Sequence, residues 1–122
     1  MIRFNFARTI LLATLIVAAA QTSVSADKDL EIVNLTGRDI KRLYLSPAGI
    51  VGVGYGDLLG TKIFLKDSSM NVHCKGDYRY YDMRIVFTDD EPCEWSELDL
   101  NGVQRLIIRK SDKSGRYAVY KD

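Results

Sequence analysis

The chain has 122 residues, with 17 Lys and Arg against 16 Asp and Glu, a formal net charge of +1. That balance gives no reason to expect nucleic acid or anionic membrane as a partner held by charge. The length suits a single domain with one modest core.

The first 26 residues have the three parts of a secretion signal. Arg3 and Arg8 make a positive start, Ile10 to Ala20 form an apolar run broken only by Thr14, and Val24-Ser25-Ala26 sets small residues at the cleavage positions. Cleavage is expected before Asp27. The run is shorter than the ~20 apolar residues of a membrane span, which disfavours the alternative of an uncleaved anchor. Residues 27–122 then form the mature domain, and without Arg3 and Arg8 it carries 15 Lys and Arg against 16 Asp and Glu.

Beyond Asp27 the chain reads as short strands. Leu30 to Leu35 and Ile40 to Leu45 are separated by Thr36-Gly37-Arg38-Asp39, where the glycine suits a tight turn. Ser46-Pro47-Ala48-Gly49 ends the second strand. Residues 49–60 hold five of the nine glycines, and Lys62 to Leu65 and Met70 to Cys74 are the next extended runs. The strongest signal is Tyr80 to Phe87. Tyr81, Met83, Ile85 and Phe87 alternate with Tyr80, Asp82, Arg84 and Val86, the period of a half-buried strand. Cys93 to Leu98, Val103 to Arg109 and Tyr117 to Tyr120 follow, parted by Asn101-Gly102 and Ser111 to Gly115. Seven to eight short, mostly antiparallel strands with turn residues between them predict an all-β fold, a small β-sandwich or a partly open barrel.

Few residues carry chemistry. Gly52 to Gly60 lacks the helix that a dinucleotide-binding loop must open, so its glycines read as loop conformation. Asp89-Asp90-Glu91, with Glu94, Glu97 and Asp99 nearby, reads first as a solvated hairpin tip and second as oxygen ligands for calcium, although the spacing of a calcium loop is missing. His73 is the only histidine and precedes Cys74, and adjacent strand residues point to opposite faces, which disfavours a base–nucleophile pair. Any acidic surface offers pairs such as Glu94 with Glu97, so they do not indicate glycoside hydrolysis. No catalytic residue, metal ligand or cofactor is assigned.

Cys74 and Cys93 are an even pair in an expected oxidising compartment, which predicts a disulfide worth roughly 3 kcal/mol. Tyr81 and Trp95 are expected in the core or beside the cysteines. Tyr55, with Gly56 and Asp57, is the expected binding element, because an aromatic on a small-residue loop offers contact area at low entropic cost. Asn34-Leu35-Thr36 matches a glycosylation sequon.

Five stretches, in order, carry a resemblance: Val33 to Gly37, Leu43 to Pro47, Tyr55 to Gly60, Tyr81 to Phe87 and Trp95 to Leu100. Together they resemble a family of small bacterial exported β-domains with an N-x-T-G, L-Y-x-S-P, W-G-x-D-L-L-G, Y-D-x-R-x-x-F, W-x-x-x-D-L pattern. Tyr55 stands where that pattern has Trp. Asn101 stands where a Cys often follows Asp-Leu, while Cys93 lies a few residues earlier. The resemblance implies an exported β-domain and brings no catalytic residue with it.

The resulting expectation is a non-catalytic exported binding or interaction module, in the bacterial periplasm or secreted. Its partner is a protein or envelope ligand, with no nucleic acid and no stable membrane insertion after cleavage. An extracytoplasmic inhibitor or immunity protein that blocks its target with a loop is the first alternative. A calcium-responsive domain is the second.

Overall fold

A computed structural model describes residues 27–49, 56–76 and 78–122. Seven strands form in chain order: β1 Lys28–Leu35, β2 Ile40–Pro47, β3 Ser68–Cys74, β4 Tyr80–Phe87, β5 Pro92–Asp99, β6 Arg105–Lys110 and β7 Tyr117–Lys121. They build two facing sheets, one ordered β3-β1-β6-β7 and the other β2-β4-β5. Every pairing is antiparallel except β1 with β6, which run parallel from Glu31↔Arg105 to Leu35↔Arg109. The sandwich is open at its edges and does not close into a barrel.

Alternation decides what enters the core. On β4, Tyr81, Met83, Ile85 and Phe87 are buried as expected, against Leu30 and Ile32 of β1, Leu43 and Leu45 of β2, and Leu106 and Ile108 of β6. Each such aliphatic side chain contributes about 1.5–3 kcal/mol by leaving water. Val86, on the opposite face of β4, is also buried, because β4 is the middle strand and Arg42 and Pro92 pair on either side of it.

The expected strand Lys62 to Leu65 is reduced to a single bridge, Phe64 to Ile40. Phe64 is buried, whereas Ile63 and Leu65 are 45% and 56% exposed. This segment crosses the edge of β2 on its way to the other sheet, so only one of its residues pairs.

Asn34 fixes the turn between β1 and β2. Fully buried, it accepts at Oδ1 from the Thr36 amide (3.1 Å) and the Thr36 hydroxyl (2.6 Å). Its Nδ2 donates to the carbonyls of Arg38 (2.9 Å) and Phe64 (3.1 Å). Thr36 Oγ1 also accepts from the Arg38 amide, and Gly37 takes φ +81°, where a Cβ would be strained. The Asn-x-Thr signature therefore serves as an internal clasp. In the folded protein its amide is enclosed and committed.

Candidate recognition groove

Arg38 is the most connected side chain on this end of the sandwich. The turn after β1 brings it to the turn after β4, where Nη2 donates to Asp89 Oδ2 and Nη1 to Glu91 Oε1, both at 2.6 Å. Nη1 also lies 3.3 Å from the Tyr117 hydroxyl at the start of β7, and the guanidinium sits 3.9 Å from the centre of the Phe87 ring. Tyr117 completes the stack, its ring centre 5.0 Å from that of Phe87. Hydrogen bonds donated to Tyr117 and Glu91 hold the guanidinium in its charged form well above the ordinary range. One arginine thus ties together the β1–β2 turn, the β4–β5 turn and β7.

The same contacts account for the acidic turn. Asp90 adopts φ +73° and pairs with Lys41, which lowers its pKa. Asp89 Oδ1 accepts from the Glu91 amide at 3.1 Å, closing the tip. All three carboxylates face a cation of the chain itself. Among the described residues no group of three or more His, Cys, Asp or Glu side chains gathers at a metal-holding spacing.

Beside this hub lies a groove of about 340 Å³ between β5 and the turn joining β6 to β7. Cys93, Trp95 and Tyr117 form its walls, and Glu91, Glu94 and Arg116 form its rim. Cys93 and Trp95 point toward the core from β5, opposite Ile85 and Met83 of β4. Both stay half-buried because β5 and β7 are edge strands of different sheets and nothing closes the space between them. The far wall is held by its own turn: Ser111 N donates to Arg116 O (2.7 Å), Gly115 N to Ser111 O (2.9 Å), and Gly115 has φ +70°. Burial, then the nearby Glu91, push the Cys93 thiol up, so it stays protonated and weakly nucleophilic at neutral pH.

A second depression of similar size crosses the outer face of the three-stranded sheet, lined by Tyr44, Ser46, Asp82, Arg84, Glu94 and Ser96. Its charges are satisfied internally. Arg84 Nε meets Glu94 at 3.1 Å, and Asp82 accepts from the Glu97 amide at a bulge where Glu97 has φ +54°.

No family model matches the chain, and no curated protein does. Among solved structures, the NMR structure of a protein from Eubacterium rectale is similar in fold, with a TM-score of 0.58 and 11% identity. The match covers 78% of this chain and 87% of that one. At that identity the likeness concerns the arrangement of strands alone.

The expected disulfide is absent, since Cys74 and Cys93 are both free. Cys74 closes β3 opposite Lys28 and is fully buried beside Tyr81, whereas Cys93 pairs with Ile85. Tyr81 and Ile85 are four residues apart on β4, about 13 Å along the strand. A disulfide requires Cα atoms within about 4.4–6.8 Å. Burial also raises the pKa of Cys74, against the pull of Lys28. Protein unfolded without reductant is expected to alkylate at two thiols per chain. In the native state Cys93 should react first, because Cys74 is enclosed. Mass spectrometry showing no added alkyl groups would contradict this arrangement.

Of the expected binding loop, Tyr55 lies outside the described residues and Gly56 is exposed. Asp57 has a structural task. Its Oδ1 accepts from the amides of Leu43 (3.0 Å) and Leu59 (3.1 Å), and Oδ2 lies 3.4 Å from Arg42 Nη1. With Leu58 N donating to Leu43 O at 2.8 Å, the segment is pinned along the edge of β2. His73 is exposed, its Nδ1 2.8 Å from Asp29 and its Nε2 3.0 Å from Asp27, and these two carboxylates raise its pKa. Arg38 and Tyr117 carried no local sequence signal as site residues, because their partners are distant along the chain.

Proposed function

We propose that this chain is a non-catalytic binding module, exported to the periplasm or secreted, which recognises a partner in the groove between β5 and the β6–β7 turn. The carrying observation is the pair of half-buried aromatics, Trp95 and Tyr117, facing an open cleft under a mainly acidic rim. Aromatic walls supply contact area at low entropic cost, and the rigid sheets hold them in place before binding. Glu91 and Glu94 each hold an arginine of the chain through one carboxylate oxygen, and their exposed second oxygens favour an extended protein segment with a basic side chain over an acidic one. Export is supported by the signal-like residues 1–26 and by the resemblance to small bacterial exported β-domains.

Trp95 is the only tryptophan, and it lines both this groove and the neighbouring depression, so its emission reports on binding at either. Titration with an alternating Lys–Leu decapeptide is expected to shift that emission saturably, while a Glu–Leu counterpart leaves it unchanged. Glu94→Lys should weaken the response about tenfold, the cost of one lost charge contact at a partly desolvated site. Equal responses to both peptides, or none to either, would remove the groove as the recognition surface.

A further inference from the structure

We propose that the outer edge of β3 is a self-association surface, on which a second copy of this chain adds its own β3 antiparallel across a two-fold axis near Asn71. The sandwich has four edge strands, β3 and β7 in one sheet and β2 and β5 in the other. Three of them carry features that block further pairing. On β2, the amide and carbonyl of Ile40 bond to Phe64, and those of Leu43 bond to Asp57 and Leu58. β5 starts with Pro92, carries Glu94 and Glu97, and is bent where Glu97 takes a positive φ. β7 is five residues long and ends in Lys121.

Among the described residues, β3 carries none of these devices. Its seven residues, Ser-Ser-Met-Asn-Val-His-Cys, contain no proline, Asp, Glu, Lys or Arg. It pairs with β1 in one unbroken register from Lys28↔Cys74 to Asn34↔Ser68, with no bulge to twist it away. Its far end is held rigid. Asp27 accepts from the Gly76 amide at 2.9 Å and meets His73 at 3.0 Å, while Asp29 takes the other His73 nitrogen. A strand already fixed in extended form loses little entropy when another strand pairs with it.

The occupant follows from the sequence read against itself. With the axis at Asn71, each Asn71 faces its own copy, Met70 faces Val72, and Ser69 faces His73. Just beyond the strand, Asp67, in the preceding turn with φ +61°, lies at the same end of the junction as Lys75 of the other copy, and the symmetry gives this opposite-charge proximity twice. Both residues are exposed. Met70 and Val72, half-buried and buried, continue the apolar layer across the junction, and the two four-stranded sheets become one of eight strands.

Sedimentation equilibrium over a concentration series tests this. The protein is expected to show a monomer–dimer equilibrium. Asn71→Lys sets two like charges face to face on the axis and should weaken it about tenfold or more. Lys75→Glu, which opposes Asp67, should weaken it in the same direction, with Glu94→Lys on β5 as the unchanged control. Thermal melts confirm that each variant is folded, and Lys75→Glu carries the test if Asn71→Lys is not. A protein that stays monomeric at millimolar concentration overturns the proposal. So does a dimer indifferent to the β3 variants, or one broken by Glu94→Lys alone.

Discussion

Phe87→Ala is expected to lower the unfolding free energy by about 4 kcal/mol, the scale of deleting a buried aromatic ring whose site cannot collapse. Collapse is opposed because the neighbours of the ring are tied to one another and to the turns around them. The Arg38 guanidinium lies 3.9 Å from its centre, and the Tyr117 ring centre lies 5.0 Å away, tilted by 48°. Phe87→Leu fills most of the volume and should cost only about 1.5 kcal/mol, part of it the lost cation–ring attraction. Urea unfolding of Phe87→Leu, Arg38→Ala and the double variant measures that attraction, with a coupling of about 1 kcal/mol expected. Independent, additive losses would show that Arg38 acts only through Asp89, Glu91 and Tyr117. Phe87→Ala should also loosen the groove, since Tyr117 forms its wall and Arg38 anchors the Glu91 side of its rim.

The second large effect is expected at Asn34. Asn34→Ala leaves the Thr36 amide without a partner in a site closed to water, an orphan that costs about 1–3 kcal/mol, and takes one of two hydrogen bonds from each of the carbonyls of Arg38 and Phe64, which keep Thr36 Oγ1 and Ile40 N as donors. Relaxation of the turn recovers some of this, giving a net loss of about 3 kcal/mol and a drop in Tm of roughly 15 °C for a domain of this size. Asn34→Asp should be worse at neutral pH. It keeps an acceptor for Thr36 but sets a buried carboxylate against two carbonyls that had received hydrogen bonds. Burial raises the folded-state pKa of that new carboxyl above its unfolded value, so the deficit is greatest at high pH and narrows as the group protonates. Thermal melts of both variants between pH 4 and 8 check the ordering. Equal stability of Asn34→Ala and the parent would show that the clasp is dispensable.

Strand positions were legible wherever alternation was strong. β4 announced its buried face because Tyr81, Met83, Ile85 and Phe87 meet the opposing sheet at every second residue. The same rule misplaced Val86, since a period of two describes one covered face and cannot see flanking strands that also enclose the other. Lys62 to Leu65 has strand-forming residues, yet pairing needs a neighbour to run alongside, and only Phe64 meets one. The cysteine pairing failed for a related reason. An even count in a chain expected to be exported states that a bond is permitted, whereas the register places the two thiols several residues apart along β4. The groove was illegible because its walls come from β5 and β7, which sequence reading had no means of setting side by side. Arg38 sat in a recognised turn, but its acceptors lie 51 to 79 residues further on.

The parallel union of β1 and β6 has a consequence for how the chain becomes structured. Glu31 and Arg105, 74 residues apart, are joined across it both in register and by a side-chain ion pair. The first strand therefore cannot take its final place until the last third of the polypeptide is available to flank it. Contacts of such long sequence separation make folding slow, because the closing loop must be ordered before the pairing rewards it. For a polypeptide threaded through a membrane in extended form, that delay is useful. Under the export proposed above, the amino-terminal strands would stay unpaired during passage, and the sandwich would assemble only once its carboxy-terminal strands had arrived on the far side.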